Sequence, residues 1–364
     1  MTANEPWSGH YEPVGPIWVT AHTTQFTKPG WHYLKTVGHL NGGGSYVSLT
    51  DGHNNVTIVI ETLSHDQSVC IRPFLPSYVV KEQNATFAIR GWFDIKELHM
   101  WQSQLGADST DDQLFVYKGI IPVNPNGEIT VFLPVDVLIT LSTIKTAQKG
   151  TYPTPPPSHP FPLPYTDNFK ANGFTEAFNF ADQSGKFEIY HNASATDEHQ
   201  WTLQQVVTIR PVTLCDDPNL GITMIGDYKW SNVAVSVQIK LQDAKGAFVA
   251  LRVDKGGCDA RVARGVFLWI MSDRSWMLTA DLAQDTTLIS CSAGSPCWKS
   301  ELQEWNDVTL SVSKNTNVKA LLNGVEILEY TIAKEDYVPE NGFVAIGTAN
   351  FAKSQFDLFS VKEA

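Results

Sequence analysis

The fold of the second half of this chain is indicated most clearly by one stretch, VAVSVQIKL (Val233 to Leu241). Its large apolar residues recur at strict period two, so one face of the segment is apolar along its whole length. Successive side chains of a β-strand point to opposite faces, whereas those of a helix repeat every ~3.6 residues. The stretch therefore predicts a β-strand with one buried face.

Similar short runs fill the rest of the chain, and turn residues separate them. Asn323-Gly324 predicts a tight hairpin, because this dipeptide accepts the positive φ angles that two-residue turns require. With hardly any helical periodicity, residues 166–364 are predicted to form a large jelly-roll or lectin-like β-sandwich. The other strand candidates are Phe248–Val253, Val266–Met271, Val308–Val312, Val325–Leu328, Phe343–Gly347 and Phe356–Val361.

A proline-rich segment divides the chain. TYPTPPPSHPFPLPY (Thr151 to Tyr165) has seven prolines in fifteen residues. Proline lacks a backbone N–H and fixes φ, so neither a helix nor a central strand can run through this segment. We predict an extended, semi-rigid linker over residues 151–165.

Residues 31–150 also alternate short apolar runs with turn signals. NVTIVIETL (Asn55 to Leu63) and ITVFL (Ile129 to Leu133) each place branched apolar residues on one face. Asn126-Gly127, just before the second run, predicts a tight hairpin. About eight such runs fit into this region, which is the spacing of an antiparallel β-sandwich.

The first thirty residues differ from the rest. PIWVTAHTTQFT (Pro16 to Thr27) spaces its apolar residues as a helix does, and Pro29-Gly30 ends the pattern. EPWSGHY (Glu5 to Tyr11) has the composition of a ligand-facing loop rather than of a fraying terminus. A single helix ahead of an otherwise all-β protein suggests that residues 1–30 are the end of another domain.

Composition narrows the class of function. A formal net charge of -12 argues against nucleic-acid binding, which uses a basic patch or stripe. No stretch reaches the roughly 18 uninterrupted apolar residues of a membrane-spanning helix. The sequons at Asn55, Asn84 and Asn192 favour a glycoprotein of the secretory route, with chance tripeptides in a cytosolic protein as the alternative. Five cysteines leave one thiol free or paired outside the chain.

The sequence lacks familiar catalytic motifs, including G-x-S-x-G, H-E-x-x-H and a Walker loop, and no two acids suggest a glycosidase pair.

Two charged residues, Arg72 and Asp357, stand in apolar stretches of the sequence. Arg72, in CIRPFLPSY, needs a planar polar partner, and the residues alone favour an internal carboxylate over sugar hydroxyls. Asp357, in QFDLFSV, is predicted to share a strand face with Phe359 and Val361. Asp357 and TDNF (Thr166 to Phe169) offer oxygen ligands suited to Ca²⁺, and a hydrogen-bonded structural aspartate is the alternative.

Several longer stretches carry a resemblance to a known family. They occur in order along essentially the whole chain: EPWSGHY, WVTAHTTQFTKPGWHYLKTVGHL, SYVSLTDG, CIRPFLPSY, FNFADQSGKFE, IGDYKW and VAIGTANFAKSQFD. They resemble the galactosylceramidase family of glycoside hydrolases. The resemblance implies a (β/α)₈ barrel followed by a β-sandwich and a lectin-like domain. Residues 1–30 would then be the end of the barrel, and both catalytic glutamates would lie before Met1, so the chain alone is expected to be inactive.

The resemblance also implies roles for individual residues. Arg72 would reach into the galactose pocket as a substrate contact, which reverses the preference for an internal ion pair. Cys70 would form a disulfide with a barrel cysteine outside this chain. Leu214 stands where the family has a tryptophan that borders the active site, so one aromatic platform for the sugar is missing.

The family's calcium ligands match only in part. Asp357 fits, and Trp201 offers a backbone carbonyl, whereas Asn168 replaces an aspartate and Lys170 stands where an asparagine is expected. A lysine ammonium beside Ca²⁺ is unfavourable. We therefore expect no required cofactor, with structural calcium as the one metal considered.

The function implied by the resemblance is that of a lysosomal galactosylceramidase. The complete enzyme would hydrolyse the β-galactosidic bond of galactosylceramide and related galactolipids with retention, and a saposin-type activator would present the lipid. Two alternatives remain from the residues: a free-standing carbohydrate- or glycolipid-binding module, and a truncated chain with no independent role.

Overall fold

The protein is described by a computed structural model over residues 1–91, 93–106, 110–170, 173–212, 218–242 and 245–364. It comprises two compact units, Met1–Ser158 and His159–Ala364. The division between them falls inside the predicted linker. Both units consist mainly of antiparallel sheets, so the predicted all-β class is confirmed.

The first unit combines one α-helix with eight strands in the described residues, as the spacing of the apolar runs predicts. The elements are α1 (Gly15–Thr24), β1 (His32–Tyr33), β2 (Ser45–Thr50), β3 (Val56–Glu61), β4 (Gln83–Ala88), β5 (Glu97–Gln104), β6 (Val116–Pro122), β7 (Glu128–Leu133) and β8 (Val137–Ser142).

Its strands form two layers of unequal size. Six of them form a sheet in the order β1-β2-β3-β8-β5-β6, while β4 and β7 pair as a two-stranded ribbon. The alternating residues of β7 are buried at Ile129, Val131 and Leu133. These side chains join a core with Ile58 and Ile60 of β3, so the ribbon packs on the larger sheet as a sandwich.

Helix α1 contacts β5 and β8 of the larger sheet and falls within the first unit, and its origin at the end of another domain stays a prediction. Trp18 and Ala21 of the helix and the following Phe26 are buried with Trp101 and Phe115. Between the helix and the sheet, the fully buried His22 bonds Thr140 Oγ1 through Nδ1 and Ser103 Oγ through Nε2, each at 2.8 Å. None of the helices in the described part of the chain combines the length and apolar character needed to cross a membrane.

The second unit contains fifteen strands in the described residues. They are β9 (Tyr165–Asp167), β10 (Ala181–Ser184), β11 (Phe187–His191), β12 (Trp201–Gln205), β13 (Gly221–Ile225), β14 (Val233–Leu241), β15 (Ala247–Val253), β16 (Arg264–Ile270), β17 (Trp276–Asp281), β18 (Thr287–Cys291), β19 (Asn306–Ser313), β20 (Asn317–Leu322), β21 (Val325–Thr331), β22 (Phe343–Thr348) and β23 (Ser354–Glu363).

These strands build two antiparallel sheets. One has the order β10-β13-β22-β15-β16-β17-β18, and the other β11-β12-β23-β14-β19-β20-β21, with β9 pairing on β23. Strand β15 contacts β14 and β19 across the sandwich. Val235, Val237 and Ile239 of β14 are at most 2 % exposed, whereas Lys240 is partly exposed. The strand that the period-two pattern predicts therefore lies in the middle of its sheet with one face in the core.

The two predicted hairpin turns have different outcomes. Asn323 and Gly324 have φ angles of 52° and 76° and connect the paired strands β20 and β21, so that prediction is confirmed. Gly127 also has a positive φ, of 74°, but β6 pairs with β5 and β7 pairs with β4. The hairpin prediction at Asn126-Gly127 is wrong, because this turn carries the chain from one layer of the sandwich to the other.

Candidate functional site

Arg72 lies on a loop of the first unit that is held at its base. A short 3-10 turn, His65–Ser68, begins the loop, and Ser64 N–H donates to Asp136 Oδ1 at 2.7 Å. The ring of Tyr78 packs against that of His65 with their centroids 5.2 Å apart, and its hydroxyl donates to Ser64 O at 3.3 Å. These contacts fix both ends of the loop, and the tip between them carries Arg72.

The Arg72 guanidinium is exposed but oriented. Nη1 donates to the backbone carbonyls of Val69 and Ile71, and the guanidinium carbon lies 4.1 Å from the centroid of the Phe74 ring. Arg72 forms no ion pair with any residue in the described ranges, so the internal salt bridge favoured by the residues alone is not present there. Its remaining N–H groups are available to donate to a planar or hydroxylated ligand.

The loop tip is strongly apolar. The side chains of Val69, Phe74 and Val79 are 63 %, 71 % and 70 % exposed, and Ile71 is exposed as well. Such an apolar patch on a surface marks an interaction site. Cys70 in the same tip is exposed and has a free thiol. Its predicted disulfide to a cysteine outside this chain stays a prediction.

A large cleft opens between the β4–β7 ribbon and the larger sheet of the first unit. Its volume is about 980 Å³, and its lining includes Leu34, Tyr46, Ile58 and Phe87 together with several polar groups. The aromatic rings of Tyr46 and Phe87 meet edge to face at 5.1 Å. A mostly apolar, preformed cleft of this size can hold a drug-sized or lipid-like ligand. No period or motif in the sequence identifies this cleft, because its walls come from β2, β3, β4 and the loops beside them, and these meet only when the ribbon packs on the sheet.

Asp357, in the second unit, is buried on strand β23 with a histidine as its partner. Its side chain is 1 % exposed, and Oδ2 lies 2.7 Å from Nδ1 of His199. Its Oδ1 accepts the N–H of Leu358 at 2.7 Å. Burial raises the pKa of the Asp357 carboxyl above its ordinary value, and the bonds from His199 and the Leu358 N–H oppose that shift. Asp357 was predicted to require a cation or N–H donors, and His199 and the Leu358 N–H supply the donors.

The predicted strand face of Asp357 is wrong. Asp357 pairs with Gln238, and the pairing of β14 with β23 slips by one residue between Ser236 and Gln238. Leu358, at this bulge, has a φ of 47°. A bulge reverses the alternation of faces on either side of it, so Asp357 lies on the face of Gln238, opposite to that of Phe359.

The side chains of Asn168 and of the adjacent Asp167 have partners of their own, and the ring of Trp201 has an aromatic neighbour. The Asn168 side chain is exposed, and its Oδ1 accepts the Lys170 N–H at 3.3 Å. The Trp201 ring stacks on His191 with their centroids 4.0 Å apart. In the adjacent Asp167, Oδ1 accepts the Phe169 N–H and Oδ2 accepts the Tyr165 hydroxyl.

The residues present do not fit calcium. Ca²⁺ takes about six to eight oxygen ligands, whereas the His199 imidazole, a nitrogen donor, occupies the space 2.7 Å from Oδ2 of Asp357. No group of three or more His, Cys, Asp or Glu side chains that could hold a metal occurs among the described residues. His199 was missed in the sequence because it lies 158 residues from Asp357, and no local pattern connects the two.

The three sequons lie in different surroundings. Asn84 is exposed on β4, and Asn192 lies in a turn, where its Oδ1 accepts the Ser194 N–H. Asn55 is half-buried, and its side chain bonds those of Asp51 and Thr143. Glycosylation stays a prediction at all three. Leu214 lies outside the described residues.

Two family models match the chain. One, described as the galactocerebrosidase C-terminal lectin domain, matches residues 182–364, and one described as the glycosyl hydrolase family 59 central domain matches residues 33–148. The chain belongs to the galactocerebrosidase family. The two matches fall on the two β-units, and they confirm the resemblance to this family of glycoside hydrolases.

Relatives in the galactocerebrosidase family match the chain along its full length. The galactocerebrosidase of Salmo salar is 47 % identical over 100 % of this chain and 54 % of its own length, and that of Homo sapiens is 45 % identical over 100 % and 52 %. The chain thus spans about half the length of these relatives. Among solved structures, the carbohydrate binding module CBM66 from Bacillus subtilis matches with a TM-score of 0.36 and 9 % identity, over 52 % of this chain and 98 % of that one.

Proposed function

We propose that this chain supplies the sandwich and lectin-like domains of a lysosomal galactosylceramidase. The enzyme would hydrolyse the β-galactosidic bond of galactosylceramide and related galactosphingolipids with retention. The observation that carries this proposal is that the whole of this chain matches relatives named galactocerebrosidase at 45–47 % identity. The two catalytic glutamates would lie in the part of the relatives that this chain does not span, so residues 1–364 alone would be inactive.

Arg72 is proposed to hold the galactose. Its Nη1 is anchored by the carbonyls of Val69 and Ile71, and its carbon rests near the Phe74 ring. The guanidinium is therefore positioned before a ligand arrives, which lowers the entropy lost on binding. Its free N–H groups would donate to galactose hydroxyls, and charge-assisted bonds of this type are stronger than neutral ones.

The exposed apolar side chains around Arg72 indicate that the loop tip contacts another molecule or domain. We propose that the lipid is presented by a saposin-type lipid-transfer activator, since the two acyl chains of a galactosphingolipid need an apolar carrier in water. The three sequons support a secretory route to the lysosome.

The proposal is tested with a chimera in which residues 1–364 replace the matching half of the Salmo salar relative. At about pH 4.5, where a carboxylic acid can act as general acid, the chimera should hydrolyse a fluorogenic β-galactoside. The 364-residue chain alone should not. Turnover by the isolated chain would mean that it carries its own catalytic acids, and an inactive but folded chimera would refute the family activity for these domains.

The role of Arg72 is tested in the same chimera. Arg72→Ala removes charge-assisted hydrogen bonds to the sugar and should lower kcat/KM by about 10- to 100-fold. Lys96→Ala is the control, because Lys96 is also an exposed cation of the first unit, but it pairs with Asp94 and does not line the large cleft. Equal kcat/KM values for the two variants would refute the substrate contact.

A second candidate function is non-catalytic binding of a glycolipid, and the 980 Å³ cleft of the first unit favours it. Ala85 lines this cleft and is only partly buried. If the cleft holds the lipid, the 364-residue chain should bind vesicles that contain galactosylceramide, and Ala85→Trp should abolish the binding by filling the cleft. Binding that survives Ala85→Trp would exclude the cleft as its site.

A further inference from the structure

We propose that His199 takes the place of a calcium ion in the second unit, so that this unit is held together at Asp357 without metal. The imidazole holds the Asp357 carboxylate and thereby joins the loop 192–200 to strand β23. The inference concerns stability and metal binding, and it does not depend on the catalytic proposal.

The bond between the two side chains is short and shielded. Nδ1 of His199 and Oδ2 of Asp357 are 2.7 Å apart, and the two side chains are 10 % and 1 % exposed. A hydrogen bond to an ionisable carboxyl in such surroundings is stronger than the same bond in water. At its base the loop is closed by Asn192 N–H donating to Gln200 O at 2.8 Å. The His199 side chain therefore connects the body of the loop to β23 through its bond to Asp357.

The imidazole is fixed by a third element. The ring of Trp305 stacks on His199 with their centroids 4.0 Å apart and an angle of 17° between the planes. The ammonium of Lys240 lies 5.8 Å from the Trp305 ring centroid and bonds Glu304 at 2.6 Å. Trp305 precedes β19, so the stack connects the loop, β23 and the start of β19 around one carboxylate.

The same arrangement excludes a hard cation. A calcium ion at Oδ2 of Asp357 would have to displace the His199 imidazole, which lies 2.7 Å away, and then find several more oxygen ligands. The Oδ1 of Asn168 is already used by the Lys170 N–H. Both oxygens of Asp167 also accept local donors. A lysine at position 170 adds a positive charge to a segment that would have to approach the ion.

The first test is the response of the purified 364-residue protein to metal. Its thermal unfolding is followed by hydrogen exchange of peptides from β23, so that the second unit is read by itself. The transition temperatures in excess EDTA and in excess CaCl₂ should agree within about 1 °C, since a ligand that does not bind the folded state cannot stabilise it. A lower transition temperature in EDTA would overturn the proposal.

The second test isolates the bond to Asp357. His199→Ala removes both the bond and the stack, whereas His191→Ala removes a histidine stacked on Trp201 in the same geometry, at 4.0 Å and 16°. His191 bonds no carboxylate among the described residues. We expect His199→Ala to lower the transition temperature by about 3–6 °C more than the control does. Equal losses would refute the tie.

The third test restores a metal site. A triple variant, Asn168→Asp with Lys170→Asn and His199→Ser, removes the competing imidazole and the ammonium and adds a carboxylate. Its transition temperature should rise with CaCl₂, and terbium luminescence excited through the nearby tryptophans should saturate, neither of which the native chain should show. A triple variant without either response would overturn the claim that these side chains exclude the ion.

Discussion

His22 makes the stability of the first unit sensitive to acid. Burial lowers the pKa of its imidazole from 6.5 to about 3. The ring is fully buried, with one nitrogen at 2.8 Å from Thr140 Oγ1 and the other at 2.8 Å from Ser103 Oγ. Among the described residues, no carboxylate contacts His22 and could stabilise a charged imidazole. The folded protein therefore favours the neutral form of His22.

The sign and the size of the effect follow from these two pKa values. The pKa of the His22 imidazole is lower in the folded chain than in the unfolded chain. Between these two pKa values, the unfolded chain therefore binds a proton that the folded chain does not bind. The free energy of unfolding therefore falls as the pH drops below 6.5, and this loss levels off near pH 3. The slope between them is about 1.4 kcal/mol per pH unit, so the cost between pH 7 and pH 4.5 is about 2.5 kcal/mol.

The assay compares the native chain with His22→Gln, which cannot titrate. Urea unfolding at the two pH values is read by hydrogen-exchange pulses on peptides from β5 and β8, which report the first unit alone. The variant should be less stable at pH 7, because glutamine cannot reproduce both bonds, but it should lose about 2.5 kcal/mol less on acidification.

His32→Gln, which changes an exposed histidine of the same unit, is the matched control and should lose as much stability on acidification as the native chain. Carboxylates titrate over the same pH range in all three proteins, so only the differences between proteins are informative. If the curves of the native chain and His22→Gln fall in parallel, within about 0.5 kcal/mol, the imidazole titrates freely and the reasoning is refuted.

Three further substitutions test the packing of the second unit through urea unfolding read on its own peptides. Gly324→Ala should cost about 1 kcal/mol, because φ is +76° there while the added Cβ meets no atom within 4 Å. Gly347→Ala should cost about 3 kcal/mol or more, because its Cβ would lie 2.3 Å from Gly221 O, and a loss no larger than that of Gly324→Ala would contradict the packing. Cys291→Ser opens the six-residue disulfide loop to Cys297 and should cost about 2 kcal/mol in non-reducing buffer, a difference that reductant should abolish.

Local pattern in the sequence predicts individual strands well, because the two faces of a strand differ in burial. The stretch from Val233 to Leu241 shows this, since four of the five residues that the period-two pattern selects are buried, and only Leu241, at the end of the strand, is partly exposed. The hairpin at Asn323-Gly324 was also predictable, because two consecutive positive φ angles require residues of this type. Both predictions depend on interactions between residues near one another in the chain.

Pairing between distant strands was not predictable in the same way. Asn126-Gly127 has the chemistry of a hairpin turn, yet the strands on either side pair with β4 and β5 rather than with each other. A turn dipeptide specifies the local backbone angles, but the burial of the flanking apolar faces decides which strands become neighbours. The large cleft of the first unit was not predictable either, since β4 forms one of its walls and belongs to the ribbon, whereas β2 and β3 belong to the larger sheet.

Asp357 shows that the sequence can predict that a buried carboxylate requires a partner, but not which residue supplies it. A buried carboxylate demands a donor or a cation on either face of a strand, so the demand was predicted although the face was predicted wrongly. Its strand face depended on the bulge at Leu358, and leucine is not a residue type that signals a positive φ. The donor depended on His199, which reaches Asp357 only because β12 pairs with β23. Chemical requirement is thus a property of the residue, whereas the group that meets it is a property of the fold. For that reason, a metal site carried over from a family by matching residues needs the structure to show which donors already occupy the ligand oxygens.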